Sequence, residues 1–385
     1  MCYDLLDQWC SNEGQKDCGH PEKNQIRNQK DAPDFFPIFV PAHVLLMDIY
    51  ILAIESSCDD TSAAVLHNDV LLSNVIANQK VHHEFGGVVP ELASRAHQQN
   101  IIPVVEAAIR TANIDKKDLN AVAFTRGPGL LGSLMVGVSF AKAFAWSLGI
   151  PIISVDHMQA HIMANFLREE GEEKHAPEFP FLFLTVSGGH TQIVKVNDPF
   201  GGEILGKTID DAAGETFDKA AKILGLPYPG GPVIDELAKK GDPHKFSFAK
   251  PRIPDFDYSF SGLKTSILYF LRDELKKDDD FIEKNKADLC ASIQFTIVDI
   301  LKEKVEKAIQ KTKMKTLALA GGVSANSELR AAMKDLADKY GLDLHIPKMN
   351  YTTDNAAMIG MLAYFHYLKK DFSDWDVAPY ATGSQ

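Results

Sequence analysis

The chain is poor in cysteine and tryptophan, with five and three in 385 residues, and it carries no net positive charge. Cysteines at positions 2, 10, 18, 58 and 290 are too few and too scattered for a disulfide framework, so a reducing cytoplasm is the expected setting. A net charge of −12 excludes a protein that coats itself on phosphate backbone by bulk electrostatics. Any nucleic-acid contact must then be a local basic patch or come through a partner. No apolar run approaches the roughly 20 residues of a membrane-spanning helix, and the stretch 35–46 is broken by Pro37, Pro41 and His43. No membrane is expected.

What is present is enough apolar material, 45% of residues, to bury a large core, over a length that suits two domains or one bilobal unit. Residues 1–46 stand apart: they lack periodicity and are rich in Asn, Gln, Asp and Lys, up to a sharp switch at Met47 into an apolar strand. They resemble neither a secretory signal nor an acid-poor transit peptide. They are expected to be a disordered or non-native extension, with Met47 as the true initiator. The spacing of Cys10, Cys18 and His20 fits no standard zinc pattern.

From Met47 onward, apolar strands alternate with amphipathic helical stretches, which indicates an α/β architecture. Ile51 to Leu66 (ILAIESSCDDTSAAVL) and Phe181 to Val196 (FLFLTVSGGHTQIVKV) each read as strand, small polar turn, strand. The two segments read as one device used twice, and such a tip offers backbone N–H groups to an anion if the two tips face each other. Thr316 to Arg330 (TLALAGGVSANSELR) reads as a buried strand, a Gly-Gly turn and a helix starting near Ser324 or Asn326, a form suited to cradling a nucleotide. Helices are expected over 91–112, 133–148, 288–312 and 356–369, and strands over 121–125 and 152–155. The charged run 276–286 reads as a solvated helix end.

His157 and His161 are four apart in VDHMQAHIMANFL, so on a helix both imidazoles lie on one face and reach one ion. Spacing alone favours two polar residues on a partly exposed helix face over a metal pair. The Glu of HExxH is missing, which removes the base a zinc protease needs. Asp354, in a turn that leads into a helix, is the best third ligand, and two imidazoles with one carboxylate leave positions open for substrate. Cys58 beside Asp59 invites a nucleophile reading, but neighbouring acids raise a thiol's pKa.

The blocks IESSCDDTSAAV, GGVVPELASRAH, TRGPGLLGSLMVG, VDHMQAHIMAN, TVSGGHTQIV, DDAAGETFDKAAKILGLPYPGGP, SFSGLKT, ALAGGVSAN and YTTDNAAMIG occur in family order from about Ile49 to about Leu368. The sequence resembles the universal tRNA threonylcarbamoyladenosine transferases, formerly described as O-sialoglycoprotein endopeptidases, in their bacterial or organellar branch. The resemblance implies a two-lobed α/β fold of the actin, sugar-kinase and heat-shock-protein ATPase kind with a nucleotide cleft, here as lobes 47–175 and 176–385, the C-terminal helix packing back on the first. It implies metal ligands at His157, His161 and Asp354, the ion being iron or zinc with iron favoured. It implies that threonylcarbamoyl-adenylate is contacted by Thr185, Val186, Ser187, Gly188, Gly189, Asp218, Gly231, Asp235 and Asn326. Asn326 equally suits a helix cap.

The implied partners are tRNA and either an inactive paralogue of the same fold with a small ATPase, or a second copy in a homodimer. Asp59 is the candidate general base. Lys245, Lys250 and Arg252 are candidate tRNA contacts beside the alternative of a solvated loop. The competing readings are a metal-dependent endopeptidase, a small-molecule kinase of the same fold, and an inactive scaffold, which typically lacks the histidine pair.

Overall fold

The computed structural model describes residues 48–79, 87–173 and 175–381, so the expectations for residues 1–46 lie outside the described residues. The first sheet is built from β1 (Tyr50–Glu55), β2 (Thr61–His67), β3 (Val70–Ala77), β4 (Ala121–Gly127), β5 (Ile152–Asp156) and β6 (Arg168–Glu169), in the order β5-β4-β1-β2-β3-β6. The second contains β7 (Phe181–Val186), β8 (Thr191–Asp198), β9 (Gly201–Lys207), β10 (Thr316–Ala320) and β11 (Asp343–His345), in the order β11-β10-β7-β8-β9.

Both sheets repeat one plan. A hairpin pairs its strands antiparallel, a third strand extends the meander, and two later strands add in parallel on the other side of the first. The hairpins are those legible in sequence, with Tyr50 opposite His67 and Phe181 opposite Val196. The helices are α1 (Pro90–Thr111), α2 (Leu131–Leu148), α3 (His157–Met163), α4 (Ala213–Ile223), α5 (Gly230–Ala238), α6 (Ser261–Leu275), α7 (Phe281–Thr312), α8 (Ser327–Tyr340) and α9 (Ala356–Leu368).

Strand alternation assigns side chains to separate cores. In β1, Leu52 and Ile54 pack with Val104, Val105 and Val138 of α1 and α2, whereas Ile51 and Ala53 turn the other way toward α9. In β7, Leu182 and Leu184 join the helices of the second half, while Phe181 and Phe183 enter the same core as Ile51 and Ala53. That shared core, which also takes Ala160 and Met163 of α3, joins the two sheets. Helix α3 therefore follows β5 of the first sheet and packs on β7 and β10 of the second.

Two sequence expectations change. Helix α7 begins at Phe281, seven residues earlier than read, because the charged run 276–286 spans the end of α6, a short turn and the start of α7. Helix α2 is 18 residues long with mean hydropathy 1.4, long and apolar enough to cross a membrane by length and composition, contrary to the reading that no such run exists. Its Val138, Ala141 and Ala145 are packed in the first sheet's core, and Leu131, Met135 and Trp146 are exposed.

Candidate metal centre and nucleotide cleft

Helix α3 starts directly after β5, its first turn fixed by Asp156, whose Oδ1 accepts from the Gln159 N–H at 2.9 Å. His157 and His161 thus lie one turn apart on one face of α3, as their spacing predicts. Asp354 arrives from the far end of the chain. It is held by Asn355, which caps α9 by accepting from the Met358 N–H at 3.2 Å and donates to the Thr353 carbonyl at 2.8 Å.

The Nε2 atoms of His157 and His161 lie 3.4 and 3.3 Å from Asp354 Oδ1. The three ligating atoms are all within 4.8 Å of one another. Two ligands on one tetrahedral ion, with bonds of roughly 2.0–2.1 Å, are separated by about 3.3 Å, so the spacing matches ion coordination better than a direct charge-assisted hydrogen bond. Both histidines are buried, while Asp354 keeps 31% of its side chain exposed, which leaves one side of the triad open.

The partners of Glu55 give this buried carboxylate a role. Fully buried at the end of β1, it accepts from the Ser57 N–H at 2.6 Å, from the Thr125 hydroxyl, and from His157 Nδ1 at 3.2 Å. It fixes the tautomer that aims His157 Nε2 at Asp354, the usual outer-shell device of metal-binding imidazoles. No local pattern marks it, since its histidine lies 102 residues away.

Burial penalises a charged His157, but Asp354 and Glu55 outweigh it and pull the imidazole well above its ordinary range. Burial likewise disfavours the Glu55 and Asp354 carboxylates, and the imidazoles hold both below their usual range. A pocket that stabilises a proton on His157 stabilises a cation in its place. His161 Nδ1 is buried with no hydrogen-bond partner among the described residues. The donor set, its spacing and its outer shell fit a divalent transition ion.

Both hairpin tips reach this triad. At the first, Cys58 and Asp60 feel the charge of Asp354. Burial first, then Asp59 and Asp354, push the Cys58 thiol up, which leaves it inert as a nucleophile. Burial also raises Asp60, to about 7, against a hydrogen bond from Asn78 at 2.8 Å and with help from Asp59, Asp354 and Glu55. At the second tip, burial and then His157 and His161 lower the His190 imidazole. The Ser187 N–H donates to the His190 carbonyl at 2.8 Å, so Gly188 and Gly189 form a tight exposed turn with open space beside them.

The remaining predicted residues divide. Thr185 and Val186 are buried at the end of β7, the Thr185 hydroxyl without a partner among the described residues. Gly321 holds φ +93°, and a Cβ there would stand 2.4 Å from the Val186 carbonyl oxygen, so only glycine lets the β10 turn lie against β7. Asp218 on α4 accepts from the Gly230 N–H at 2.7 Å, and burial raises its carboxyl despite that bond and another from Gly231. Gly231 lies in the first turn of α5. Burial, then Asp218, Asp59, Cys58 and Asp60, raise the Tyr228 hydroxyl to about 12.

Asp235 and Asn326 both make hydrogen bonds within the chain. Asp235 accepts from the Ser327 hydroxyl at 2.6 Å. Asn326 caps α8, accepting from the Leu329 N–H at 3.0 Å and donating to Gln294 Oε1 at 2.7 Å. Lys245 and Lys250 pair with Asp288 and Asp299.

Two sheets of one plan around a shared cleft define the class: the chain has the two-lobed α/β fold of the actin, sugar-kinase and heat-shock-protein ATPase group. The full-length HypF structure in its phosphate- and nucleotide-bound form superposes with a TM-score of 0.54 at 14% identity, over 83% of this chain and 46% of that one. HypF from T. kodakarensis gives 0.53, over 85% and 48%. Residues 70–361 match the family described as tRNA N6-adenosine threonylcarbamoyltransferase, and the chain belongs to that family. The enzymes of that name from Christiangramia forsetii and Porphyromonas gingivalis are each 61% identical to it, over 329 and 334 residues, covering 86% and 87% of this chain and 96% and 98% of theirs. The chain is therefore a transferase that modifies tRNA, which favours that reading over the endopeptidase and kinase alternatives.

Proposed function

We propose that the chain moves a threonylcarbamoyl group from threonylcarbamoyl-adenylate to the exocyclic amine of the adenosine 3′ of the anticodon, in tRNAs reading codons that begin with A, and releases AMP. The observation that carries this is the convergence of both hairpin tips on the His157, His161 and Asp354 triad. Residues 47–175 and 176–385 act as two lobes around it.

His157, His161 and Asp354 hold one divalent ion, iron by preference over zinc, which when bound supplies Lewis-acid polarisation of the phosphate or carbamoyl oxygen. Backbone N–H groups at Ser187, Gly188 and Gly189 face the developing negative charge, and Thr185 and Val186 position that turn. Asp218 and the N-terminus of α5 at Gly231 take the ribose and nucleotide side. Asp235 and Asn326 complete the contacts to the adenylate and also fix the start of α8 against α5 and α7.

The amine nitrogen bonds to the carbamoyl carbon, and the bond from that carbon to the phosphate oxygen breaks, so the electron pair leaves on AMP. The amine loses a proton late in this step. Asp59 is the candidate acceptor, with Asp60 beside it poised nearer neutral pH. The setting is the cytoplasm, and the partner is an inactive paralogue with a small ATPase or a second copy of the chain.

A reconstituted assay with tRNA, threonine, bicarbonate, ATP and an adenylate-forming enzyme tests this. His157→Ala is expected to lose more activity than the ~10–100-fold typical of outer-shell changes. Retention of parental tRNA modification by that variant would overturn the assignment.

A further inference from the structure

A second constellation lies where the connection between the sheets meets a sheet edge. Strand β11 is the edge of the second sheet and pairs with β10 alone. Residues two apart on a strand share a face, so Asp343 and His345 project together, with Oδ2 and Nε2 2.7 Å apart. His175, in the connection between β6 and β7, stacks on His345 with ring centroids 4.6 Å apart and planes 28° apart. One ligating atom from each of the three lies within 4.8 Å of the other two. His345 is 4% exposed, whereas His175 and Asp343 are open to solvent.

This group borders a cavity of about 410 Å³ lined also by Asn165, Arg168, Lys348 and Tyr351. The cations near it are already matched: Arg168 pairs with Asp69 at 2.7 Å, and Lys348 with Glu169 and Glu172 at 3.0 and 2.5 Å. They leave the histidines free of an unbalanced positive neighbour. Asn165, whose Oδ1 is buried without a hydrogen-bond partner among the described residues, lines the same cavity.

We propose that His175, Asp343 and His345 bind a second divalent transition-metal ion, of the zinc class, which pins the connection between the sheets to the β11 edge. Two imidazoles and one carboxylate suit such an ion and not magnesium or calcium, which take oxygen ligands. A fourth position opens toward the cavity. The 2.7 Å contact of Asp343 with His345 is a hydrogen bond of the metal-free form, and coordination requires it to widen to about 3.3 Å. Exposure of Asp343 gives it room to do so. No residue is shared with the His157 site, so the two are separable.

The test is zinc stoichiometry on the full chain, stripped by chelation and carrying Cys2→Ser, Cys10→Ser and Cys18→Ser so that the N-terminal thiols contribute nothing. Calorimetry and elemental analysis after gel filtration are expected to give two equivalents for this parent. One is expected for His157→Ala with His161→Ala, and one for His175→Gln with Asp343→Asn. Zinc should raise the Tm of the first variant pair through the second site, a gain abolished when all four substitutions are combined. Because His175 and Asp343 are exposed, circular dichroism should match the parent, and Asp343→Ala alone provides a second variant. An unchanged stoichiometry in the His175 and Asp343 variants, or a parent that binds one equivalent lost with His157, overturns the proposal.

Discussion

Between Glu55 and Asp354 the His157 ring is held from both sides, Nδ1 on one carboxylate and Nε2 on the other. Glu55→Gln preserves size and most hydrogen bonds but removes the charge that fixes this tautomer. Metal affinity is expected to fall ~10–100-fold, read by competition with a chromophoric chelator; an unchanged affinity would reduce Glu55 to a packing residue. Asp210 makes a different kind of contribution, accepting from Ser259 Oγ at 2.5 Å, the Phe260 N–H at 2.7 Å and Ser261 Oγ at 2.8 Å. Burial raises its carboxyl, and these bonds together outweigh burial and lower it. A lowered carboxyl adds stability that is complete above the unfolded-state pKa of about 3.9 and is lost as pH falls through the folded value. Urea unfolding should therefore show Asp210→Asn less stable than the parent at neutral pH, with the gap closing below about pH 4.

At the scale of elements, α9 lies close on the first sheet because Gly360 has no side chain: a Cβ there would meet Leu66 Cδ1 at 2.3 Å and Ala53 Cβ at 3.2 Å. Gly360→Ala gains helix propensity but overpacks this contact, and a net loss of about 1–3 kcal/mol is expected in chemical denaturation. A neutral or stabilising result would mean that α9 can move off the sheet without penalty. The two hairpins were readable from sequence because strand, polar tip and strand are local and repeat. The i,i+4 histidines were readable for the same reason. Glu55 was not, since its function depends on a residue brought in by β5. Nor could sequence find the partners of Asn326, which caps α8 through the Leu329 N–H and donates to Gln294 of α7. Helix α2 was missed as a candidate apolar span because Gly132, Ser133, Gly137, Ser139, Lys142 and Ser147 break its apolar run, although its mean hydropathy is 1.4.

On the scale of the whole molecule, charge is the feature that bears most on tRNA. The chain carries −12, and, Arg252 apart, its basic residues in the regions considered for RNA contact are already paired. Lys245 reaches Asp288 at 2.6 Å, Lys250 pairs with Asp299, and Lys276, Lys277, Lys284 and Lys286 lie 2.6–3.0 Å from Asp273, Glu274, Asp278 and Glu283. Breaking such pairs on phosphate releases few net counterions, because each cation gained by the RNA is taken from a carboxylate. Each phosphate neutralised contributes about 0.7–0.9 to the slope of log K on log salt. The chain alone is therefore expected to bind tRNA weakly, with a slope no steeper than about −3, in fluorescence anisotropy titrations between low and physiological salt. A proposed partner that supplies the basic surface should steepen the slope when added, without changing the metal content of this chain. A slope near −6 for the chain alone would show that a basic face of its own meets the RNA, and would move the search for the tRNA footprint onto this protein.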